Sequence, residues 1–284
     1  MNQFGGNWTE AKIEILIEYT QAYLSIMNIY ASRCNWKLLY FDSFAGSGSI
    51  SKKVGNQEKT IIGAARRILE IKEPRIFDQY YFVEKDTRHA AELKQMITNH
   101  FPNTLCHVES SDCNQKIVDM INFLKSEKGV NYKVLAFIDP YGMQLNWQTL
   151  LKMKQSDSID AWILVPTGMG VNRLLTKNAD IKNDWVERLM KFLGLTEKEI
   201  RNYFYTTTTQ HTLFGEEVVT SKQEKAIERA ASLYKQRLGE IFRHVTEPYI
   251  MKNSSNSILF HFFMVSNNKT GVKIANDIIK KYNK

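Results

Sequence analysis

LLYFDSFAGSG, residues 38–48, is the stretch from which the rest of the chain is read. Its apolar, aromatic-rich start fits a buried strand. The strand ends on an acidic residue, Asp42, and runs into a turn carrying Gly46 and Gly48. Glycine has no Cβ, so a ligand can approach the backbone of such a turn closely, a need shared by nucleotide-binding α/β proteins. A dinucleotide pattern G-x-G-x-x-G would use the same position but wants a third glycine opening a helix at once. Here a basic loop, ISKKVGNQEK (50–59), follows, and the next helix is expected near Thr60. That spacing argues against a pyrophosphate seated on a helix N-terminus.

Outward from this turn, apolar runs alternate with helix-patterned stretches. LLYFDSF (38–44), YYFVEKD (80–86), LCHVESS (105–111), VLAFIDP (134–140) and AWILVPT (161–167) read as buried strands. Residues 61–72, 87–101 and 113–127 carry apolar residues at three- and four-residue spacing, as amphipathic helices do. Strand, helix, strand, repeated, predicts right-handed crossovers and a doubly wound, mostly parallel, Rossmann-like α/β sheet. Residues 8–30 read as one long helix with Thr9 as its N-cap. Helices are expected at 222–242 and 270–282, with a late strand at 257–266. Residues 171–215 look irregular and helical, a cap inserted where ligands bind in such sheets, at the carboxyl ends of the strands. One domain is expected over 1–284, with a helical extension at 1–36.

Hydrophobic content of 43% and charged content of 24% fit a globular protein. No apolar run reaches the roughly 18 to 20 residues that cross a bilayer, and the start MNQFGGNWTE does not resemble a signal peptide. Cytoplasm is the expected location. Cys34, Cys106 and Cys113 are too scattered for a disulfide framework or a zinc site, and no metal is expected. A net charge of +8 favours an anionic partner, nucleic acid above all, or else marks a well-solvated surface.

F-A-G-S-G after an acidic residue resembles the S-adenosylmethionine loop of DNA and ribosomal RNA amino-methyltransferases, D/E-x-F-x-G-x-G. The resemblance implies the class I methyltransferase fold and S-adenosylmethionine as cofactor. It brings Gly46 and Gly48 close to the cofactor's amino-acid part, with Asp42, Phe44 and Ala45 shaping that pocket. Glu84 ends the next strand, where a carboxylate can accept from both ribose hydroxyls. Asp112, after the third strand, resembles the residue that contacts the adenine amino group, with Asp86 a competing choice. All three also read as solvated strand-end carboxylates.

Asp139-Pro140-Tyr141-Gly142 ends the fourth strand, where amino-methyltransferases read D/N-P-P-Y/F. By that resemblance Asp139 and a proline carbonyl accept hydrogen bonds from the target amine. Tyr141 then stacks on a base taken out of its helix. Holding the nitrogen in line with the methyl group lowers the barrier by positioning. A single proline departs from the pattern, and an Asp-Pro turn with Tyr141 in the core is the structural alternative. No cysteine follows a proline, so cytosine-5 chemistry is not expected. Lys52, Lys53, Arg173, Lys177, Lys182 and Arg188, with Trp147 and Trp185, are candidates for a groove that tracks phosphates and stacks bases, with surface solvation and core packing the favoured reading for any one of them, and Asn172 and Arg173 are candidates to read the substrate. Asn253 and Asn256 either line the same cleft or bond their own backbone. His211 and His261 read as structural.

Beyond these motifs, nearly the full chain resembles the three-Cys-motif partner family, TcmP. The resemblance rests on YFDSFAGSG, YYFVEKD, FIDPYGMQLNW, GMGVNRLLTKN (168–178), HTLFGEE (211–217) and KNSSNSILFHF (252–262). The family takes its name from a neighbouring, phage-associated protein with a three-cysteine motif, not from the cysteines of this chain. It implies a bacterial or phage setting, a methyltransferase-like core and a partner protein encoded alongside, but no substrate. The leading expectation is therefore a nucleic-acid methyltransferase acting at a base nitrogen. The alternatives are a non-catalytic adaptor working through its partner, and methylation of a small molecule or protein.

Overall fold

The computed structural model describes residues 7–54, 57–212 and 215–283, with side chains at all of these except 7, 49–61, 212 and 215. Helix α1 spans Asn7–Arg33 and β1 spans Lys37–Asp42. Strands β2 (Ser49–Val54) and β3 (Gln57–Ile62) form an antiparallel hairpin, and α2 (Ala64–Leu69) follows. Then come β4 (Gln79–Val83), α3 (Thr87–His100), β5 (Cys106–Glu109), α4 (Cys113–Lys125) and β6 (Tyr132–Ile138). Helix α5 (Trp147–Met153) and strand β7 (Ile159–Val165) lead into a π-helical turn at Thr167–Asn172. Helices α6 (Asn183–Leu193) and α7 (Glu197–Phe204) precede a second hairpin, β8 (Tyr205–Thr212) and β9 (Gly215–Lys222). The described chain closes with α8 (Ala226–Leu238), β10 (His244–Val245), β11 (Tyr249–Lys252), β12 (Ile258–Ser266) and α9 (Lys269–Tyr282).

The large sheet runs β10-β12-β7-β6-β1-β4-β5, with β11 also paired to β12. Strands β5, β4, β1, β6 and β7 are parallel, and β12 lies antiparallel to β7. This is the doubly wound, mostly parallel α/β sheet expected from the alternation. Alternate residues of β1 serve opposite faces, as the pleat dictates. Leu39 and Phe41 pack towards α4–α8, whereas Leu38 and Tyr40 pack towards α1, α2, α3 and α9. No described helix is long and apolar enough to cross a membrane.

Three expectations are corrected. Thr9 does not cap α1. The helix starts earlier, at Asn7, its first turn held by Trp8 against the Phe260 ring at 5.4 Å, and Thr9 is buried inside it. The helix after the glycine turn begins at Ala64 rather than Thr60, because Thr60, Ile61 and Ile62 pair as strand with residues 49–51. β-Branched residues fit that extended conformation. The third correction concerns 171–215, where helices α6 and α7 are followed by a hairpin that continues to Lys222. The described residues between Thr206 and Val218 are exposed on both strands, so no buried face imposes an alternating pattern on the sequence.

Candidate functional site

Strand β1 lies where the chain reverses its order across the sheet. It runs out through β4 and β5 on one side, then returns to β6 and β7 on the other. Ligands bind at such a switch point. In register, Asp42 pairs with Phe82 of β4 and Phe137 of β6, so Asp42, Glu84 and Asp139 cap three adjacent strands.

The glycine turn is pinned to both neighbours. Ser43 donates through its amide and hydroxyl to the Phe137 carbonyl (3.0 and 3.2 Å). The Ala45 amide donates to the Val83 carbonyl (2.9 Å), and the Gly46 amide to Glu84 Oε2 (2.9 Å). Gly46 and Gly48 adopt φ of +63° and +83°, a region that L side chains rarely enter. A Cβ on Gly46 would meet nothing within 4 Å, so the turn presents an open cradle. Gly48 is instead closed in by Met96 and Leu93, and Gly63 lies so near the Gly48 backbone that a Cβ there would sit 2.9 Å from it.

Asp42 is 1% exposed. Its Oδ1 accepts from the Phe44 amide at 3.1 Å, while Oδ2 is buried beside the Tyr40 hydroxyl without a well-formed hydrogen bond. Burial pushes this carboxyl up to about 8; Asp139 and Glu84 add to the rise, and the Phe44 amide and Lys12 oppose it. A buried, unpartnered acceptor is expensive unless something completes it.

Glu84 braces the turn rather than standing in solvent. Its Oε2 holds Gly46, and its Oε1 accepts from the Asp86 amide at 2.8 Å. Each carboxylate oxygen retains a second lone pair. Asp86 caps α3 through the Arg88 and His89 amides, and the Arg88 side chain together with those amides holds its carboxyl down to about 2. Asp112 caps α4 through Asn114 and Gln115 and is exposed. Asn114, not singled out from sequence, donates to the Gln144 carbonyl and accepts from the Asn146 amide, both at 2.9 Å. It ties the start of α4 to the loop after β6.

The residue that sequence reasoning missed most is Lys12. From α1 its ammonium donates to Asp139 Oδ2, and it lies 5.8 Å over the Phe137 ring. Lys12 is 5% exposed. Thr9, Lys12, Asp42, Gly46, Gly48 and Asp139 line one cavity of about 110 Å³. No local motif marks Lys12; a polar residue on the buried stripe of a long amphipathic helix was the available signal. Pro140 is buried, Gly142 turns the chain at φ +76°, and Tyr141 is 68% exposed, which removes the core reading of that tyrosine.

The remaining candidates divide. Asn172 accepts from Lys222 Nζ through its carbonyl and its Oδ1 (3.3 and 3.1 Å), bracing the base of the β8–β9 hairpin. Arg173, Lys177, Lys182 and Arg188 are exposed, and Lys182 lies over the Trp185 ring. Lys52 and Lys53 have their backbone in β2, but their side chains lie outside the described residues. Trp147 cannot stack on a base. It is fully buried between the Arg237 guanidinium and the Tyr234 ring, because α5 packs its apolar face into the core. Asn253 accepts from the Ser255 and Ser257 amides and Asn256 has φ +60°, so both serve the turn before β12. His261 is buried against Thr167 (Nδ1 to Oγ1, 2.7 Å), and burial depresses its pKa to about 4. His211 faces Glu216 across the exposed hairpin at 3.5 Å. Burial raises the free thiols of Cys106 and Cys113 to about 11 and about 12.

No protein-family model and no curated protein matches the sequence. Among solved structures the chain is similar to a Legionella pneumophila protein of the DUF519 family, at 12% identity and TM-score 0.44, over 93% of this chain and 91% of that one. It is similar to Trm1 from Pyrococcus horikoshii in complex with S-adenosyl-L-methionine, at 9% identity and TM-score 0.40, over 99% and 76% of the two chains. It is also similar to an S-adenosylmethionine-dependent methyltransferase from Clostridium acetobutylicum, at 10% identity and TM-score 0.38, over 92% of each.

Proposed function

We propose that this chain is an S-adenosylmethionine-dependent methyltransferase acting on nucleic acid, at a base nitrogen. The observation that carries the cofactor is the orphaned, buried Asp42 Oδ2 beside the open face of Gly46. A ligand with an ammonium group and a chain lying along the turn fits both. When bound, S-adenosylmethionine supplies an electrophilic methyl group. Asp42 receives the ammonium, while Phe44, Ala45, Gly46 and Gly48 line the amino-acid end. The free lone pairs of Glu84 serve the ribose hydroxyls, and Asp112 serves the adenine amine.

Asp139 and the Pro140 carbonyl hold the acceptor amine at the tip of β6, and exposed Tyr141 supplies a face for the base. Lys52, Lys53, Arg173 and Lys177 neutralise phosphates, and Asn172 acts by fixing the segment that carries Arg173. The motifs GMGVNRLLTKN, HTLFGEE and KNSSNSILFHF support membership of the three-Cys-motif partner family, with a phage-associated setting and a partner protein. We read the chain as one methyltransferase-like domain over 1–284, with an extension at 1–36 and a cap at 171–215, working in the cytoplasm.

A second reading, an adaptor acting only through its partner, draws on the engagement of Asp139 by Lys12. Transfer of labelled methyl to bacterial DNA and RNA, with and without the partner, separates the two. The enzyme incorporates label and loses it in Asp139→Ala while still binding S-adenosylmethionine. An adaptor binds partner and transfers nothing.

A further inference from the structure

The cavity at the switch point has two ionisable groups with opposite deficits. Asp42 Oδ2 makes no well-formed hydrogen bond, its neighbour being the buried hydroxyl of Tyr40, which makes none either. Lys12 has a partner, Asp139, and that partner is the residue the acceptor amine needs. A lysine ammonium carries three donors and rotates on a flexible stem, so it can change acceptors while its backbone stays fixed. The backbone is fixed here. Arg67 grips Glu14 of α1 with two hydrogen bonds (2.7 and 3.1 Å), and Tyr19 donates to Asp160 at 3.3 Å. Lys12 and Asp42 both line the cavity beside the open Gly46. An α-amino acid end carries one ammonium and one carboxylate, and these two residues offer one acceptor and one donor.

We propose that Lys12 exchanges partners when the cofactor enters, leaving Asp139 for the cofactor's carboxylate, so that the acceptor site opens only after the cofactor site is filled. This rests on the S-adenosylmethionine reading above. With the cavity empty of cofactor, Asp139 is neutralised and a cationic or hydrogen-bonding acceptor meets a blocked carboxylate. With the amino-acid end seated, the ammonium of Lys12 is drawn towards the new carboxylate and Asp139 is released to accept from the incoming amine. Lys12 is thus a positioning residue that couples two binding events. The coupling excludes an unmethylatable complex in which acceptor precedes cofactor.

The test is calorimetric binding of S-adenosylmethionine and of its decarboxylated analogue, which keeps the ammonium and sulfonium but lacks the carboxylate. Wild type is expected to prefer the carboxylate-bearing ligand. Lys12→Met should reduce that preference by about tenfold or more, the scale of one charge-assisted hydrogen bond. Asp139→Asn should increase it in the presence of Lys12 but not in the Lys12→Met background, a comparison that separates release of Lys12 from the simple loss of repulsion between Asp139 and the ligand carboxylate. The double variant Lys12→Met/Asp139→Asn keeps the pair neutral, safeguards folding, and should show no preference. An unchanged preference in Lys12→Met, or one that falls in Asp139→Asn, overturns the exchange while leaving the cofactor in place. Failure of folded wild type to bind either ligand overturns the cofactor reading, and the exchange with it.

Discussion

The ammonium of Lys12 meets the carboxylate of Asp139 across 127 residues of chain, joining the first helix to the tip of a central strand. Lys12 is almost fully buried, whereas the Asp139 side chain is 22% exposed. Breaking one side of such a pair strands the other charge. Lys12→Met should destabilise the fold by about 2–3 kcal/mol, at or below the usual range for a buried pair because Asp139 retains some water. Lys12→Met/Asp139→Asn should recover most of the loss. Urea unfolding of the four proteins of this cycle measures the coupling.

If Asp42 receives the cofactor's ammonium as proposed, cofactor affinity should depend on pH. Its carboxyl is raised to about 8, so the free protein holds a proton there at neutral pH, and an incoming ammonium favours the ionised form. Binding should therefore release a proton and tighten as pH rises from 6 to 8, by up to about tenfold per unit. Asp42→Asn should bind weakly and without that slope. The same shift acts on stability with the opposite sense. A raised folded pKa stabilises below the ordinary 3.8 and loses that contribution as pH climbs through 8. Asp42→Asn should gain melting temperature relative to wild type between pH 5 and 8.

His261 predicts an acid limit. Its pKa falls from 6.5 to about 4, so the unfolded chain binds more protons between those values and stability is lost as pH falls through that window. His261→Gln should flatten the melting temperature from pH 6.5 to 4. An unchanged slope would place the acid sensitivity elsewhere.

Two glycines should fail differently. A Cβ on Gly168 would lie 2.0 Å from the Ile258 carbonyl oxygen, so Gly168→Ala should destabilise by about 3 kcal/mol or more and move the π-helical turn. Gly46→Ala meets open space and should cost about 1–2 kcal/mol for its positive φ alone. Its larger effect should be on S-adenosylmethionine binding, measured by calorimetry, because its methyl group fills the cradle.

The basic residues beyond β7 predict a salt slope. Neutralising Lys177, Lys182 and Arg188 together should flatten the dependence of nucleic-acid binding on salt by about three phosphate contacts, read from the slope of log affinity against log salt. An unaltered slope removes these side chains from the interface.

The parallel core was legible because β1 and β6 are buried on both faces towards ends marked by an acidic residue. Leu38 to Asp42 and Val134 to Asp139 carry that signature in a few residues. Asp42, Gly46 and Glu84 could be singled out because their positions follow from where a strand must end. Lys12 was not, since its role depends on where a helix crosses the sheet, which no local pattern encodes. Trp147 is in the core, the reading favoured for it as a single residue, although a tryptophan after a loop reads the same whether the next helix turns it inward or outward. The two hairpins were missed for a related reason: β8 and β9 bury little of their own surface, and β-strand preference depends on a face to pack.

The Gly63 amide meets the Gly48 carbonyl at 2.9 Å, so the β2–β3 hairpin leaves and rejoins the fold at one point. Such an excursion has the topology of a graft. Its length and sequence can drift, or be cut back to a short turn, without altering the path of the glycine loop on one side or α2 on the other. Under the function proposed above, Lys52 and Lys53 on this hairpin belong to a replaceable part, through which one frame could be fitted to different nucleic acids.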